Sequence, residues 1–428
     1  MVSGGTYGTE EIVHGAGYGR AILILLLTPI LWSLPTAFMI GELSSALPFE
    51  GGYYAWVRRA MGNFWGFQEA WLSLVASIFD MAIYPTLFVA YLTRLFPWFN
   101  EGHRGLMVGL AVVASCAILN IAGVKVVSTT SLWLFFALSA PFALMVVLAP
   151  FKYGALFHAV TTPTTSKVDI IGGLLIAMWN FMGWDNASTI ATEVERPQRT
   201  YPRAMLAAVA IVGISYILPV AAVWMTGLPT TAWETGSWAD IAGLIGGPLL
   251  RVGLVLGGVI SAFGMFNALV MSYSRLPLAM AQDGMLPAIF AKLHPKTRAP
   301  WVAILVCAIF WAPCLLLGFD RLVTIDILLY GTSLVLEFVA LVVLRLREPN
   351  LARPFRVPGG LFGAIAVGIP PVLLLGFDLV RSESEQVWGM SSFTFGMILI
   401  AGGVVAYFLN HALKPEGWAA QPKPETVA

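Results

Sequence analysis

Three carboxylates stand where a membrane-length apolar chain can least accommodate them. Asp80 is central in the stretch 66–95, Asp185 interrupts 169–194, and Glu337 lies well inside 322–345. A charge at bilayer depth costs about 2.5–3.5 kcal/mol on insertion scales. No Lys or Arg reaches a comparable depth, because Arg20, Arg94 and Arg251 fall at the edges of apolar stretches. Acids without basic partners are protonated or face a cation. Their chemistry is therefore proton carriage, recognition of an amine, or both. Glu11, Asp80, Asp185 and Glu337 are the proton-coupling candidates.

The segment around Asp185 carries further signals. Asn180, Gly183, Trp184, Asp185 and Asn186 follow one another inside an otherwise apolar run. Asn and Gly weaken a helix, and irregular backbone at this depth must be buried in protein or line a polar cavity. A second break is expected at Ser3-Gly4-Gly5-Thr6-Tyr7-Gly8, just before Glu10 and Glu11. Unwound backbone at Ser3, Gly4 and Gly5 would expose N–H groups at the start of a half-helix, where they hold a carboxylate. Tyr7, Tyr84, Trp184 and Tyr330 complete the candidate set, the last three as cation–π faces. Each candidate also has a plain reading. Glu10 and Glu11 would steady a helix N-terminus, Asp80 would accept a hydrogen bond from a neighbouring helix, Asp185 and Asn186 would hold the break open, and the aromatic rings would pack.

The elements that position these residues follow from composition. Hydrophobic residues make up 58% of the 428 and charged residues 11%, against about 25% charged in soluble domains. One soluble core cannot bury so much apolar surface, so the chain reads as an all-α integral membrane bundle in contact with the lipid bilayer. A spanning helix needs about 20 mostly apolar residues. Such stretches lie near 19–46, 66–95, 104–122, 127–150, 169–194, 203–226, 249–272, 300–318, 322–345, 359–379 and 391–411, eleven in all. Glu42, Glu69 and Glu193 fall near span ends and read as gate or solvated residues. The stretch 273–299 is the longest connector and is expected to contain a short helix. Two-thirds of the 24 Lys and Arg residues fall on one set of loops, which places those loops and the C-terminus in the cytoplasm.

Other classes are poorly supported. A net charge of +1 gives no nucleic-acid footprint. Cys116, Cys307 and Cys314 sit in apolar runs, and the five histidines are scattered. No metal, cofactor, disulfide or enzymatic constellation is expected. No cleavable signal is expected either, since no n-region and cleavage site precede the first span. The sequence leaves the oligomeric state open.

Residues 1–18 are too short and polar to span, and they read as the outer half of a broken helix whose inner half is not in the chain as written. Four full spans separate this break from the one at Gly183–Asn186, so the two broken helices open two five-helix repeats. A single transmembrane domain over 1–412 is expected. Its first repeat covers about 1–150, its second about 169–345, with extra helices over 359–411 and a disordered cytoplasmic tail over 413–428.

Several segments carry a resemblance. Ser3 to Gly8, Trp184-Asp185-Asn186-Ala187-Ser188-Thr189, Glu193-Val194-Glu195-Arg196-Pro197 and Arg199-Thr200-Tyr201-Pro202 resemble the amino acid–polyamine–organocation superfamily. The plant-type polyamine uptake branch is the nearer match. It is marked by Glu50-Gly51-Gly52-Tyr53, Trp65-Gly66-Phe67-Gln68-Glu69, Asp80 with Tyr84-Pro85, Ala281 through Pro287, and Leu336-Glu337-Phe338. The resemblance implies the leucine-transporter-type 5+5 inverted repeat, with broken helices 1 and 6. Here that gives eleven full spans plus an N-terminal half-helix. It implies secondary transport of amino acids or polyamines with protons, and a site between helices 1, 3, 6, 8 and 10. The chain departs from some bacterial members in lacking a lysine within 127–150; Lys125 precedes that span. A proton-coupled importer is thus expected, with an exchanger or a transport-inactive truncated fragment as alternatives. Asp185→Asn and Glu337→Gln should each lower cation uptake more than protein abundance. Unchanged uptake kinetics in both, measured in proteoliposomes, would remove the case for a cationic site.

Overall fold

The computed structural model describes residues 5–49, 51–123, 128–154, 168–184, 186, 188 and 196–413. Ser3, Gly4, Asp185, Glu193 and the tail beyond 413 lie outside these residues. Among the described residues, fifteen α-helices account for nearly all regular structure, joined by short 3-10 turns and one tiny hairpin.

The first break is followed by α1 (Glu10–Ala16), which ends at Gly17 in a positive-φ conformation, and by α2 (Tyr18–Thr28). A π-turn at Pro29–Ser33 leads into α3 (Leu34–Ala46). The two prolines, Pro29 and Pro35, remove helical donors here, which explains the irregular turn inside a continuous span. Next come α4 (Tyr53–Met61), a short helix with Arg58 and Arg59 in its last turn, and α5 (Asn63–Leu95). The first half closes with α6 (Arg104–Ala122) and α7 (Ser128–Tyr153).

The second half opens on α8 (Ile170–Asn180), capped by Asp169, whose Oδ1 accepts from the Gly172 N–H at 2.8 Å. Beyond the break lie α9 (Pro197–Trp224) and α10 (Trp238–Gln282), the latter interrupted at Gly247. Gly247 has φ 78° and precedes Pro248, a pairing that ends one helix and starts another. Then follow α11 (Trp301–Cys314), α12 (Phe319–Arg347), α13 (Gly360–Ala366) and α14 (Ile369–Ser384). A two-residue antiparallel hairpin, β1 (Gln386–Val387) with β2 (Met390–Ser391), turns the chain into α15 (Ser392–Leu413).

Among the described residues, nine helical segments are long and apolar enough to cross a membrane. Two other expected spans fall on shorter apolar helices, Ile170–Asn180 and Trp301–Cys314. The most apolar windows of α5 and α12 are 72% and 67% buried, but those of α7 and α15 only 17%. This ranking puts α5 and α12 at the centre and leaves α7 and α15 facing lipid. α5 packs against α10, α12, α4, α6, α11 and α15, so it forms the bundle's axis. Close approach to α10 depends on Gly258, where an added Cβ would stand 2.5 Å from the Tyr91 ring.

Two expectations need correcting. Residues 273–282 are not connector but the last turns of α10, with Ser272 and Ser274 buried. Polarity there serves the bundle interior, not solvent. Glu42 and Glu69 are likewise not solvated, since both are fully buried. Glu42 pairs with Arg345 and, at 3.3 Å, with Arg353, and accepts the Val357 N–H at 2.7 Å. Removing one partner from a buried ion pair costs about 3–5 kcal/mol because the other charge is left uncompensated. Glu42→Gln is therefore expected to lower stability by about that amount. Thermal unfolding in detergent measures it, and an unchanged midpoint would show that the arginines find other partners.

Candidate functional site

Asp80 lies midway along α5 and is 2% exposed. Tyr84 Oη, one turn on along α5, donates to its Oδ1 at 3.1 Å. Trp179 Nε1, from the last turn of α8, donates to the same oxygen at 3.1 Å. Tyr273 Oη, from α10, donates to Oδ2 at 3.0 Å. All three donors are neutral, so the carboxylate is solvated by dipoles from three helices without losing its charge to an Arg or Lys. Hydrogen bonds to an ionised group are roughly twice as strong as neutral ones.

The same network runs into the break after α8. Asn186 Nδ2 reaches Tyr273 Oη at 3.5 Å, and Ser272 Oγ donates to the Asn186 carbonyl at 3.3 Å. Gly183 adopts φ 87°, a region that favours glycine, and its N–H points to Tyr330 Oη at 3.4 Å. The Trp184 indole N–H turns back to the Phe181 carbonyl at 2.6 Å, satisfying one acceptor that the broken helix leaves open. Asn180 joins the two breaks. Its Nδ2 donates to the Gly8 carbonyl at 3.2 Å and to Ile176 at 2.9 Å, while its own carbonyl accepts from Tyr216 Oη at 3.0 Å. Gly8 lies against the Trp179 ring, where an added Cβ would stand 3.1 Å from it.

Asp80, Tyr84, Asn180, Gly183, Asn186 and Tyr330 thus lie in or beside one connected polar zone. Gly5 and Tyr7 lie at the facing break, with the Tyr7 ring edge-on to Tyr91 and Phe142. The acids near the chain start flank this first break, and their donors are not those of Asp80. Glu10 accepts from the Gly8 N–H at 2.6 Å, from Tyr91 Oη, and from the Gly236 N–H at 3.0 Å. Glu11 accepts from the Thr235 N–H and hydroxyl, both at 2.8 Å. These bonds staple α1 to the loop before α10. Glu337 is buried on α12 two turns beyond Tyr330, about 10 Å along the axis at 1.5 Å per residue.

Two participants carry no signal in the sequence: Tyr273 falls in the stretch expected as connector, and Trp179 sits among apolar residues. A further buried acid, Asp326, 1% exposed on α12, stands four residues before Tyr330 and so on the same face. Its signal was an acid within an apolar run, though close to the run's edge.

A cavity of about 330 Å³ opens between α1, α8, α12 and α14. Glu11, His14, Asp169, Asp320 and Arg381 line it. It lies away from the Arg345 cluster, at the bundle end that carries Arg94, and its wall includes Ile176, one turn from Asn180. Arg381 pairs with Asp169 at 2.9 Å, and the Asp169 N–H donates to the Gly15 carbonyl at 3.0 Å. Asp169 thereby ties α1, α8 and α14 together at the mouth.

A family model described as amino acid permease matches residues 1–410. The chain belongs to the amino acid permease family. The polyamine transporter RMV1 of Arabidopsis thaliana is 34% identical over 425 residues, which span 97% of this chain and 84% of the relative. The polyamine transporter PUT1 of Oryza sativa subsp. japonica is 34% identical over 400 residues, 93% of this chain and 75% of that one. The serine/threonine exchanger SteT of Bacillus subtilis (strain 168) is 27% identical over 373 residues, 84% of this chain and 83% of the relative. The likeness to plant polyamine transporters agrees with the resemblance read from the motifs. The chain is a multi-pass membrane permease.

In this permease, Asn180→Ala would leave the Gly8 carbonyl and the break without their shared donor. An unsatisfied buried group costs about 1–3 kcal/mol. The variant should unfold earlier in detergent by that margin, and a transition coincident with the parent's would show that Asn180 does not hold the breaks together.

Proposed function

We propose that this permease is a secondary transporter that imports a polyamine or an amino acid together with protons by alternating access. The observation that carries the reading is Asp80, a fully buried carboxylate at mid-span whose donors Tyr84, Trp179 and Tyr273 are all neutral. Such a group can take either a proton or an ammonium, and its donors keep the ionised form tolerable until the cation arrives. Relatives described as polyamine transporters support a cationic substrate.

The site then comprises backbone at Ser3, Gly4 and Gly5, Tyr7, Asp80 with Tyr84, and the segment Asn180, Gly183, Trp184, Asp185 and Asn186, closed by Tyr330. α1 and α8 are the outer halves of broken helices 1 and 6. The shorter helices α8 and α11 complete a set of eleven spans. The chain forms one transporter domain of two inverted five-helix repeats followed by two extra helices, with the C-terminus and the Arg345 cluster in the cytoplasm. Glu10 and Glu11 serve the loop before α10, which leaves Asp80, Asp185 and Glu337 for protons.

Exchange of one substrate for another is a second reading, favoured by the relative described as a serine/threonine exchanger. Proteoliposome uptake of labelled spermidine separates the two. Proton-coupled import requires uptake to rise as external pH falls, to collapse with a protonophore, and to be competed by polyamines and arginine. Indifference to pH and protonophore would establish exchange, and competition only by neutral amino acids would reject the cationic site.

A further inference from the structure

Two fully buried acids have no task in the binding site: Glu69 on α5, and Glu337 on α12. The helices that carry them are antiparallel, as the pairs Arg59–Glu348 and Ser73–Ser333 show. They meet at Ser73 and Ser333, whose hydroxyl oxygens are 3.1 Å apart. Ser333 donates to Glu69 Oε1 at 2.6 Å, and Ser73 donates to the same oxygen at 3.3 Å. Glu337 follows Ser333 by four residues, one turn further toward the Arg345 end and on the same face.

In the opposite direction, seven residues from Ser73 and seven from Ser333 lead to Asp80 and Asp326. Seven residues are close to two turns, so both acids keep the face of their serine and rise by about 10 Å. Asp80 and Asp326 therefore stand at one level of the α5–α12 seam, and Glu69 and Glu337 at another nearer the Arg345 end. Tyr330 and the serine pair lie between. Burying a charge costs several kcal/mol, so each carboxyl on this seam must be hydrogen-bonded, paired or protonated.

We propose that this seam carries the transported proton from Asp80 toward the cytoplasm, with Glu69 as its acceptor; the inference rests on the proton-coupled reading above. An ammonium group binds Asp80 as a carboxylate, so its arrival displaces the proton held there. Water molecules entering between the helices carry the proton over the roughly 10 Å from Asp80 to Ser73 and Ser333. The Ser333 O–H gives its proton to the Glu69 carboxylate as the hydroxyl oxygen receives one from the Ser73 side. Asp80 ends as a carboxylate paired with the substrate, the hydroxyls are regenerated, and Glu69 ends as the neutral acid until it releases its proton to cytoplasmic water.

Other titratable groups lie on the elements packed against α5. α4 contributes Tyr54, Arg58 and Arg59, and α10 contributes Tyr273, Arg275 and, at its end, Asp283. α12 contributes Arg345 and Arg347, and α15 contributes Tyr407 and His411. Arg58 pairs with Asp283, Arg59 with Glu348 and Arg345 with Glu42.

The test compares net accumulation with counterflow in proteoliposomes loaded by the full chain. For one proton per substrate, a gradient of one pH unit supports about tenfold accumulation. Glu69→Gln should accumulate nothing above equilibration yet retain counterflow of labelled spermidine, because counterflow needs no net proton release. Glu69→Asp should restore accumulation. Ser333→Ala, which spares the acid, should slow accumulation and leave counterflow intact; it also decides the matter if Glu69→Gln does not fold. Accumulation by Glu69→Gln or Ser333→Ala equal to the parent's would overturn the relay. Loss of both activities in a folded Glu69→Gln protein would make Glu69 a structural residue. A parent protein that accumulates nothing on a pH gradient would instead defeat the proton-coupled reading itself.

Discussion

Everything in this bundle is arranged around one constraint: a carboxylate inside a bilayer must be solvated by the protein. Asp80 meets it with a tyrosine from its own helix, an indole from α8 and a phenol from α10. Those donors come from three helices, so the charge fixes how α5, α8 and α10 sit against one another. Elsewhere the constraint is met differently. Glu42 takes two arginines, and Glu10 takes two backbone N–H groups and a tyrosine. An acid bound to arginine is committed. An acid bound only to neutral donors can still take a proton or a cation, which separates Asp80 from Glu42 chemically.

The breaks obey the same rule applied to backbone. Helix ends leave carbonyls and N–H groups without intrahelical partners, and lipid offers none. Here Asn180 of one break bonds the Gly8 carbonyl of the other, and Tyr216 of α9 satisfies the Asn180 carbonyl. Trp184 returns to Phe181, and Tyr330 meets Gly183. Glycine at 183 is required by its positive φ, and glycine at 8 by the Trp179 ring beside it.

Much of this was legible in the sequence because it is local. The apolar lengths, the break residues Asn180, Gly183 and Asn186, and the anomaly of Asp80 are all visible within a few turns of chain. What was not legible depends on segments far apart in sequence. Tyr273 reaches Asp80 across almost two hundred positions, and the polar residues around it, Ser272, Ser274 and Arg275, imitate a loop although Ser272 and Ser274 are buried. The solvated reading of Glu69 fails for a similar reason. Distance from a span end suggested water, but α12 covers that end of α5 and supplies Ser333 as a donor. Depth along one helix does not predict exposure when the helix is the axis of the bundle.

The central claim is that the Asp80 carboxylate holds the cation, and equilibrium binding tests it most directly. Purified parent and Asp80→Asn proteins would be compared for binding of labelled spermidine in detergent, with no gradient and no transport step, after matching their thermal unfolding. Asp80→Asn keeps the shape and removes the charge, and binding should fall by tenfold or more, since a hydrogen-bonded ion pair in a buried site contributes about 1.5–3 kcal/mol. Equal affinity in the two folded proteins would contradict the claim and return Asp80 to a purely structural role.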